Sequence, residues 1–176
     1  MPSPQELLNN PASVGVWTVD PKQSTLAFKA TSMWGLASVK GRFTQFSGEG
    51  QITDTQTVFG RIDIKAESLT TGIRMRDQHL RSADYFEVAK FPDISVVVTG
   101  AEAIDGDNVN LRAQLTVKGT TAPLPLRTTV TVLGAGSVRV SAQAAVNRND
   151  FGVDGNMIGM LSDKATISGD VVFRRG

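Results

Sequence analysis

The sequence contains no cysteine and a single histidine, His79, among its 176 residues. Without cysteine the chain cannot form a disulfide, a thiolate nucleophile or a cysteine metal site. Zinc sites use three or four histidine, cysteine or carboxylate ligands, so we expect no metal. The G-x-S-x-G motif of serine hydrolases is also missing from the sequence. We therefore predict no catalytic residues and a protein that is not an enzyme.

An excess of one charge and long apolar runs are also lacking. Eighteen Lys and Arg face 17 Asp and Glu, a net charge of +1, which argues against a nucleic-acid partner. No apolar run approaches the roughly 18 residues that span a bilayer, so we expect no integral membrane protein. The opening "MPSPQELLNNPASVG" lacks the basic and apolar regions of a signal peptide. We expect a soluble, cytoplasmic protein if Met1 is the native start.

The sequence is dominated by alternation of apolar and polar residues. In "NVNLRAQLTVK", Val109, Leu111, Ala113 and Leu115 alternate with polar residues, as in a strand with one buried face. Similar segments elsewhere bring the total to about eight strands. Short Gly- or Asn-rich stretches at 47–50, 105–108, 119–123 and 134–137 are predicted to be turns. Such short links favour antiparallel pairing between neighbouring strands.

Eight half-polar strands fit either a β-sandwich or an up-and-down barrel. Small residues at inward positions, such as Ala30, Ala142 and Gly169, favour a barrel with room for one elongated apolar guest. The alternative is a filled core in which these small residues pack against large aromatic side chains. We predict an all-β, eight-stranded antiparallel barrel over residues 16–176. It is preceded by an N-terminal arm at 1–15, which is either a loose segment or a short helix.

After "TTG" the apolar period changes to that of a helix of about two turns between strands, where Arg74, Asp77 and Arg81 share one face. Arg74, Arg76, His79 and Arg81 are candidates for binding a phosphate or diphosphate head group at a barrel mouth. The alternative is a solvated helix with an Asp77–Arg81 pair worth about 0.3–0.5 kcal/mol. In that case His79 is a hydrogen-bonded structural residue.

Two apolar segments complete the candidate site. Tyr85 and Phe86 follow the helix and are expected either to plug one barrel end or to form part of the pocket wall. Met157 and Met160 lie in an apolar run that suits a flap, since methionine adapts to irregular guests. Ordinary loop packing is the alternative for that run.

An ordered series of motifs carries a family resemblance. It comprises "W-T-V-D-P" from Trp17, "V-K-G-R-F" from Val39, "R-D-Q-H-L-R-S-A-D-Y-F" from Arg76, "L-T-V-K-G" from Leu115 and "N-R-N-D-F-G-V" from Asn147. From Trp17 to Phe173 the chain resembles the YceI-like family. The resemblance implies an extended lipocalin-like barrel that binds a polyisoprenoid, of the polyprenyl phosphate or quinone type, in its lumen. It also implies a homodimer and no established catalytic activity.

Several residues occupy the family's motif positions, and the resemblance implies a partly structural role for them. They are Arg76, Asp77, His79, Leu80, Asp84, Phe86, Asn147, Arg148, Asp150, Phe151 and Gly152. The chain departs from the family at Gln23 and Ser32, where relatives usually carry histidine. Any family behaviour that depends on those two imidazoles is not expected of this chain.

The predicted function is the binding of a long-chain polyisoprenoid lipid for storage or transport, with no cofactor besides that lipid. The alternatives are an isoprenoid-modifying enzyme that uses Asp77 or His79, and a structural or stress protein with a filled core. The predicted ligand-lining residues are Phe28, Ala30, Phe43, Ile62, Ile64, Leu80, Phe86, Val96, Val98, Leu111, Ala113, Leu115, Val140, Ala142, Ala144, Phe151, Met157, Met160, Ile167 and Gly169.

Overall fold

The computed structural model describes residues 2–32, 38–134, 136–155 and 161–176. The strands are β1 Gly15–Ser32, β2 Ser38–Phe43, β3 Phe46–Ile52, β4 Val58–Lys65, β5 Leu69–Thr70, β6 Asp93–Asp105, β7 Asn108–Val117, β8 Thr120–Gly134, β9 Ser137–Asn147 and β10 Leu161–Arg175. The α-helices are α1 Pro4–Asn9 and α2 Arg74–Arg81, and short 3-10 helices occupy Pro11–Ser13, Ala66–Ser68 and Arg148–Phe151. Among the described residues, no helix is long and apolar enough to cross a bilayer.

The strands form one antiparallel barrel. The order β10-β9-β8-β7-β6-β4-β3-β1 is closed by pairing of β1 with β10, so eight strands make a complete ring. On its other edge β1 pairs with β3 over Gly15–Thr18 and with β2 over Leu26–Thr31. The two-residue β5 pairs with β2, and α2 lies between β5 and β6. The predicted eight-stranded barrel with one short helix between strands is therefore confirmed.

A break in the long strand β1 is closed by one serine. The pairing of β1 with β10 is interrupted between Asp20 and Thr25. Ser24 Oγ accepts a hydrogen bond from the backbone N–H of Val172 at 2.9 Å and donates one to the Asp20 carbonyl at 2.6 Å. Because the hydroxyl supplies partners that the interrupted ladder lacks, the strand can bend without leaving the Val172 amide unpaired.

The predicted alternation agrees with the burial of the strands. On β7, Val109, Ala113 and Leu115 are buried, while Arg112 and Gln114 are exposed. The buried residues form two clusters, one around the middle of the barrel and α2, the other around Trp17 near α1. The apolar face of each strand thus points into the barrel, as a half-buried antiparallel sheet requires.

One predicted turn is wrong, and another is shorter than predicted. Residues 47–50 lie inside β3, where Gly48 faces inward. A Cβ at this position would come within 2.7 Å of the Arg61 carbonyl oxygen, so only glycine fits. Close packing between strands, not a turn, therefore explains this glycine. The stretch 119–123 belongs mostly to β8, and the reversal uses only Lys118 and Gly119, with φ of 52° and 78°. Positive φ at both residues is typical of a two-residue hairpin turn.

Three aromatic rings gather beside a second packing glycine. The ring of Phe28 lies over Gly41 of the neighbouring strand, where a Cβ would overlap it. The centroid of the Phe28 ring is 5.5 Å from that of Phe43 and 6.1 Å from that of Phe86. The rings therefore hold β1, β2 and the loop after α2 together.

Replacing Gly41 with alanine should destabilise the fold by about 1–3 kcal/mol, because the new methyl group would displace the Phe28 ring. Urea unfolding would measure the loss. Gly134→Ala is the matched control, because no atom lies within 4 Å of a Cβ at Gly134, and it should change stability by less than about 0.5 kcal/mol. Equal stabilities for the two variants would contradict this account of Gly41.

Candidate functional site

The barrel contains an apolar cavity of about 210 Å³ that is partly open to solvent. The predicted ligand-lining residues that border it are Phe28, Phe43, Ile62, Ile64, Phe86, Val96, Val98, Leu111, Leu115, Val140, Ala142, Ile167 and Gly169. These side chains come from β1, β2, β4, β6, β7, β9, β10 and the loop after α2. The alternation brings them together because each strand turns its inward residues toward the same lumen. Their contact with a ligand stays a prediction.

Other predicted lining residues do not border this cavity. Leu80 and Phe151 are buried in the core, and Ala113 is also buried. Ala30 and Ala144 are half-buried and likewise do not border it. Alternation identifies the face on which a side chain lies, but not whether its neighbours leave space beside it. Met157 and Met160 lie outside the described residues.

Sequence reasoning missed several residues of the cavity wall. They include Leu26, Ile94, Val117, Leu124, Leu126, Val171 and Phe173. Most continue an alternation that was already recognised. Val117 follows Leu115 by two positions, and Val171 follows Gly169 by two. Carrying each alternation to the end of its strand would have found them.

A second cavity of about 150 Å³ lies at the other end of the barrel. Pro4, Leu7 and Leu8 of α1 form part of its wall, together with Trp17 of β1. The remaining lining residues are Gly50, Gln51, Ile52, Val58, Phe59, Gly60, Val98, Ala101, Leu111, Val109, Val130, Val138, Val140 and Phe173. The segment predicted as an N-terminal arm therefore contributes a short helix to the cavity wall.

The two cavities are apolar inside. Arg61 is the charged residue among the described lining residues, and its guanidinium lies 2.9 Å from Asp63 with 59% of the side chain exposed. Thr128 is buried, but its hydroxyl donates to the Val109 carbonyl at 2.8 Å. The polar groups at these walls thus point outward or already have partners. Such a lumen suits hydrocarbon rather than a polar guest.

The candidate head-group residues of α2 are engaged within the chain. Asp77 accepts hydrogen bonds from the backbone N–H of Thr71, at 2.8 Å, and from its hydroxyl. Arg76 donates to the Thr71 hydroxyl at 2.9 Å and to the Thr71 carbonyl at 3.1 Å. Arg81 donates to the carbonyls of Glu67 and Leu69 at 2.9 and 2.7 Å. These bonds fasten α2 to the segment that precedes it.

The other two candidates on α2 are His79, which is half-buried, and Arg74. His79 Nε2 lies 3.3 Å from Asp84 Oδ2, and its ring packs edge-on against Tyr85 with centroids 5.1 Å apart. Arg74 is exposed at the first residue of α2. Neither residue borders the two cavities, and neither does Arg76 or Arg81. A head-group role for the four residues stays a prediction.

The motif that begins at Asn147 holds a loop together. Arg148 is 7% exposed, and its Nη1 donates to the carbonyls of Val153 and Gly155, each at 2.8 Å. Its Nε donates to the carbonyl of Ser162 at 2.9 Å. A buried guanidinium needs such partners because an unpaired buried charge is costly. The structural role that the resemblance implies for this motif therefore has a direct physical basis.

Lys118 links two loops at the same end of the barrel. Its Nζ donates to the carbonyls of Ala83, after α2, and Gly152, after the 3-10 helix at Arg148–Phe151, at 3.0 Å each.

Within the described residues no group of three or more acidic or histidine side chains could hold a metal ion. The expectation that the protein needs no metal stays a prediction.

The contacts of Asp77 predict a pH dependence of stability. Burial raises the pKa of Asp77, but the hydrogen bonds from Thr71 and the charge of Arg81 outweigh it and hold the pKa below the ordinary value of 3.8. The carboxylate therefore stabilises the fold fully above about pH 4, and this stabilisation disappears as the pH falls through the folded-state pKa. Asp77→Asn should cost about 1 kcal/mol at pH 7, and the difference from the native protein should vanish in acid.

Urea unfolding between pH 2.5 and 7 would measure this difference. Asp84→Asn is the control, because the Asp84 side chain is 73% exposed and its loss should change stability at pH 7 by less than about 0.5 kcal/mol. A constant difference between the native protein and Asp77→Asn across the whole pH range would refute the assignment.

Known proteins resemble this chain in sequence. A UPF0312 protein of Pseudomonas putida (strain F1) is 30% identical over 128 residues, which cover 69% of this chain and 67% of that protein. A UPF0312 protein of Pseudomonas fluorescens (strain SBW25) is also 30% identical over 128 residues, with the same coverage.

Solved structures resemble it in fold. BcnA of Burkholderia cenocepacia matches with a TM-score of 0.78 at 20% identity, covering 88% of this chain and 98% of that one. A polyisoprenoid binding domain from Saccharophagus degradans, implicated in plant cell wall breakdown, matches with a TM-score of 0.76 at 19% identity, covering 91% and 98%. At these identities the likeness establishes the barrel fold. The YceI-like domain model matches residues 17–173, which run from β1 to β10, and the chain therefore belongs to the YceI-like domain family.

Proposed function

We propose that this protein binds an elongated apolar molecule of the polyisoprenoid class inside the barrel, for storage or transport. The observation that carries the proposal is the apolar cavity of about 210 Å³, which occupies space that a filled core would close. The similarity to a polyisoprenoid binding domain of Saccharophagus degradans supports the same class of ligand.

Burial of hydrocarbon would supply the affinity. Moving one CH₂ group out of water contributes about 0.8 kcal/mol, so each five-carbon unit contributes roughly 3–4 kcal/mol before costs. Association costs an estimated 4–15 kcal/mol, which a few units offset. Polar contacts are therefore not required for tight binding, and the apolar walls select for shape and length instead.

The size of the cavity limits how much chain it encloses. A dry apolar cavity of about 150 Å³ holds one benzene molecule, so about 210 Å³ suits one to two isoprene units. A longer chain must reach into the second cavity or extend beyond both. Arg74, exposed at the α2 end, remains the candidate that could meet a phosphate head group in water.

We propose binding without catalysis. Asp77 is held by Thr71 and His79 packs against Tyr85, so neither acid–base candidate borders the apolar cavities. A cytoplasmic location and a homodimer remain predictions from the sequence and the family resemblance. Size-exclusion chromatography with light scattering would measure the oligomeric state.

Filling the larger cavity should abolish binding. Ala142 borders it, whereas Ala145 lies three residues along the same strand and is exposed. We expect the native protein to bind farnesol or geranylgeraniol, measured by displacement of a fluorescent polyene. Ala142→Phe should weaken binding at least about tenfold, since it loses the burial of several methylene groups. Ala145→Phe should bind like the native protein.

Mass spectrometry of the protein extracted from its native host adds an independent observation. An isoprenoid lipid in the native protein, and its loss in Ala142→Phe, is the expected result. The proposal fails if the native protein neither carries nor binds any prenyl compound, or if Ala142→Phe binds as tightly as Ala145→Phe while remaining folded.

A further inference from the structure

The two cavities follow one another along the same strands. On β4 the inward lining residues run from Val58 in the smaller cavity to Ile64 in the larger, and on β7 they run from Val109 to Val117. Residues two apart on a strand face the same side, so these side chains form successive levels of one lumen. The residues that border both cavities are Gly60, Val98, Leu111, Val140 and Phe173. They form a waist between the two cavities, and we call the two cavities with this waist the channel.

Gly60 keeps this waist open. It pairs with Gly50 on one side and Val98 on the other. A Cβ on Gly60 would lie 3.5 Å from the Glu49 carbonyl oxygen and 3.7 Å from the Val98 Cβ, which are ordinary contacts. Unlike Gly48, Gly60 is therefore not required by close packing. A Cβ there would fit beside the backbone, at the level of the waist.

The first helix forms the floor of the smaller cavity. Pro4, Leu7 and Leu8 line it, and Pro4 is buried. The helix begins with a reciprocal cap, in which the backbone N–H of Glu6 donates to the Ser3 hydroxyl at 3.2 Å and the Ser3 N–H donates to the Glu6 carboxylate at 3.4 Å. A capped start stabilises a helix of only six residues, which would be marginal alone.

The segment after α1 is anchored to the barrel. The Trp17 indole Nε1 donates to the Ser13 carbonyl at 2.9 Å, and the Arg175 guanidinium donates to the Val14 carbonyl at 2.8 Å. Trp17 itself is buried and borders the smaller cavity. The floor is therefore tied to both β1 and β10.

We infer that the smaller cavity is a subsite for the terminal unit of the bound apolar chain, and that α1 is the end wall that limits chain length. The inference rests on the proposed function and adds a length-determining element to it. The family match begins at residue 17, so α1 lies outside the part of the chain that matches the family. An apolar cavity of about 150 Å³ suits one five-carbon unit.

A series of prenyl alcohols of increasing chain length tests the inference. Dissociation constants for geraniol, farnesol, geranylgeraniol and their next longer homologue would be measured with the native protein, Gly60→Val and Gly134→Val. In the native protein affinity should rise about tenfold or more per unit until the channel is full, and then level off. Gly60→Val should level off one unit earlier, while its affinity for geraniol stays within about threefold of native.

Gly134→Val is the matched control, because Gly134 is exposed and no atom lies within 4 Å of a Cβ there. It should show the same dependence of affinity on chain length as the native protein. A geranylgeraniol analogue with a diazirine at the end of its tail gives a second measurement. Cross-links should fall on Leu7, Leu8 or Trp17 in the native protein. In Gly60→Val no cross-link to α1 should form.

The outcomes separate the two proposals. A native protein that binds none of the alcohols would overturn the proposed function. If the native protein binds them and Gly60→Val shows the same dependence of affinity on chain length, only the assignment of the subsite would be overturned. Cross-links on Ile64 and Phe86, at the opposite end of the channel, would also overturn it and leave the proposed function standing.

Discussion

Closure of the sheet by the pairing of β1 with β10 is the constraint on which the rest of the molecule depends. Once eight strands form a ring, every inward side chain must share one lumen of limited width. The sizes of those side chains then decide whether the lumen is filled or hollow. Alanine and glycine at positions such as Ala142, Gly169 and Gly60 leave it hollow, while valine, leucine and isoleucine give it apolar walls. The cavity is therefore a consequence of strand closure combined with small inward residues.

The charged residues of the motifs support this architecture from outside the lumen. Arg76, Arg81 and Arg148 all direct guanidinium groups at backbone carbonyls, and Asp77 accepts from a backbone N–H. Irregular segments at a barrel end carry carbonyls that no strand can pair, and the forked guanidinium can satisfy two of them at once. Polar residues cluster near α2 because that end of the barrel is built from loops. The residues that line the cavities and the residues that fasten the loops are thus different ones.

Much of the fold could be predicted from the sequence because apolar and polar residues alternate along a half-buried strand. The barrel and most of the larger cavity wall follow from that alternation, and α2 follows from the change to a helical period after Gly72. β3 was missed because Gly48 and Gly50 look like turn residues. In the structure both lie in a strand, where close packing requires glycine at position 48 but not at position 50. The division into two cavities, and the place of α1 beneath one of them, depend on how high each residue lies along the barrel. Alternation carries no information about that height.

The sheet has an unpaired end at β5, which is only two residues long and packs beside α2. An exposed row of backbone donors and acceptors is what lets foreign strands add to a sheet and start aggregation. The described residues of β5 offer only a two-residue template. Self-association by strand addition at β5 is therefore disfavoured.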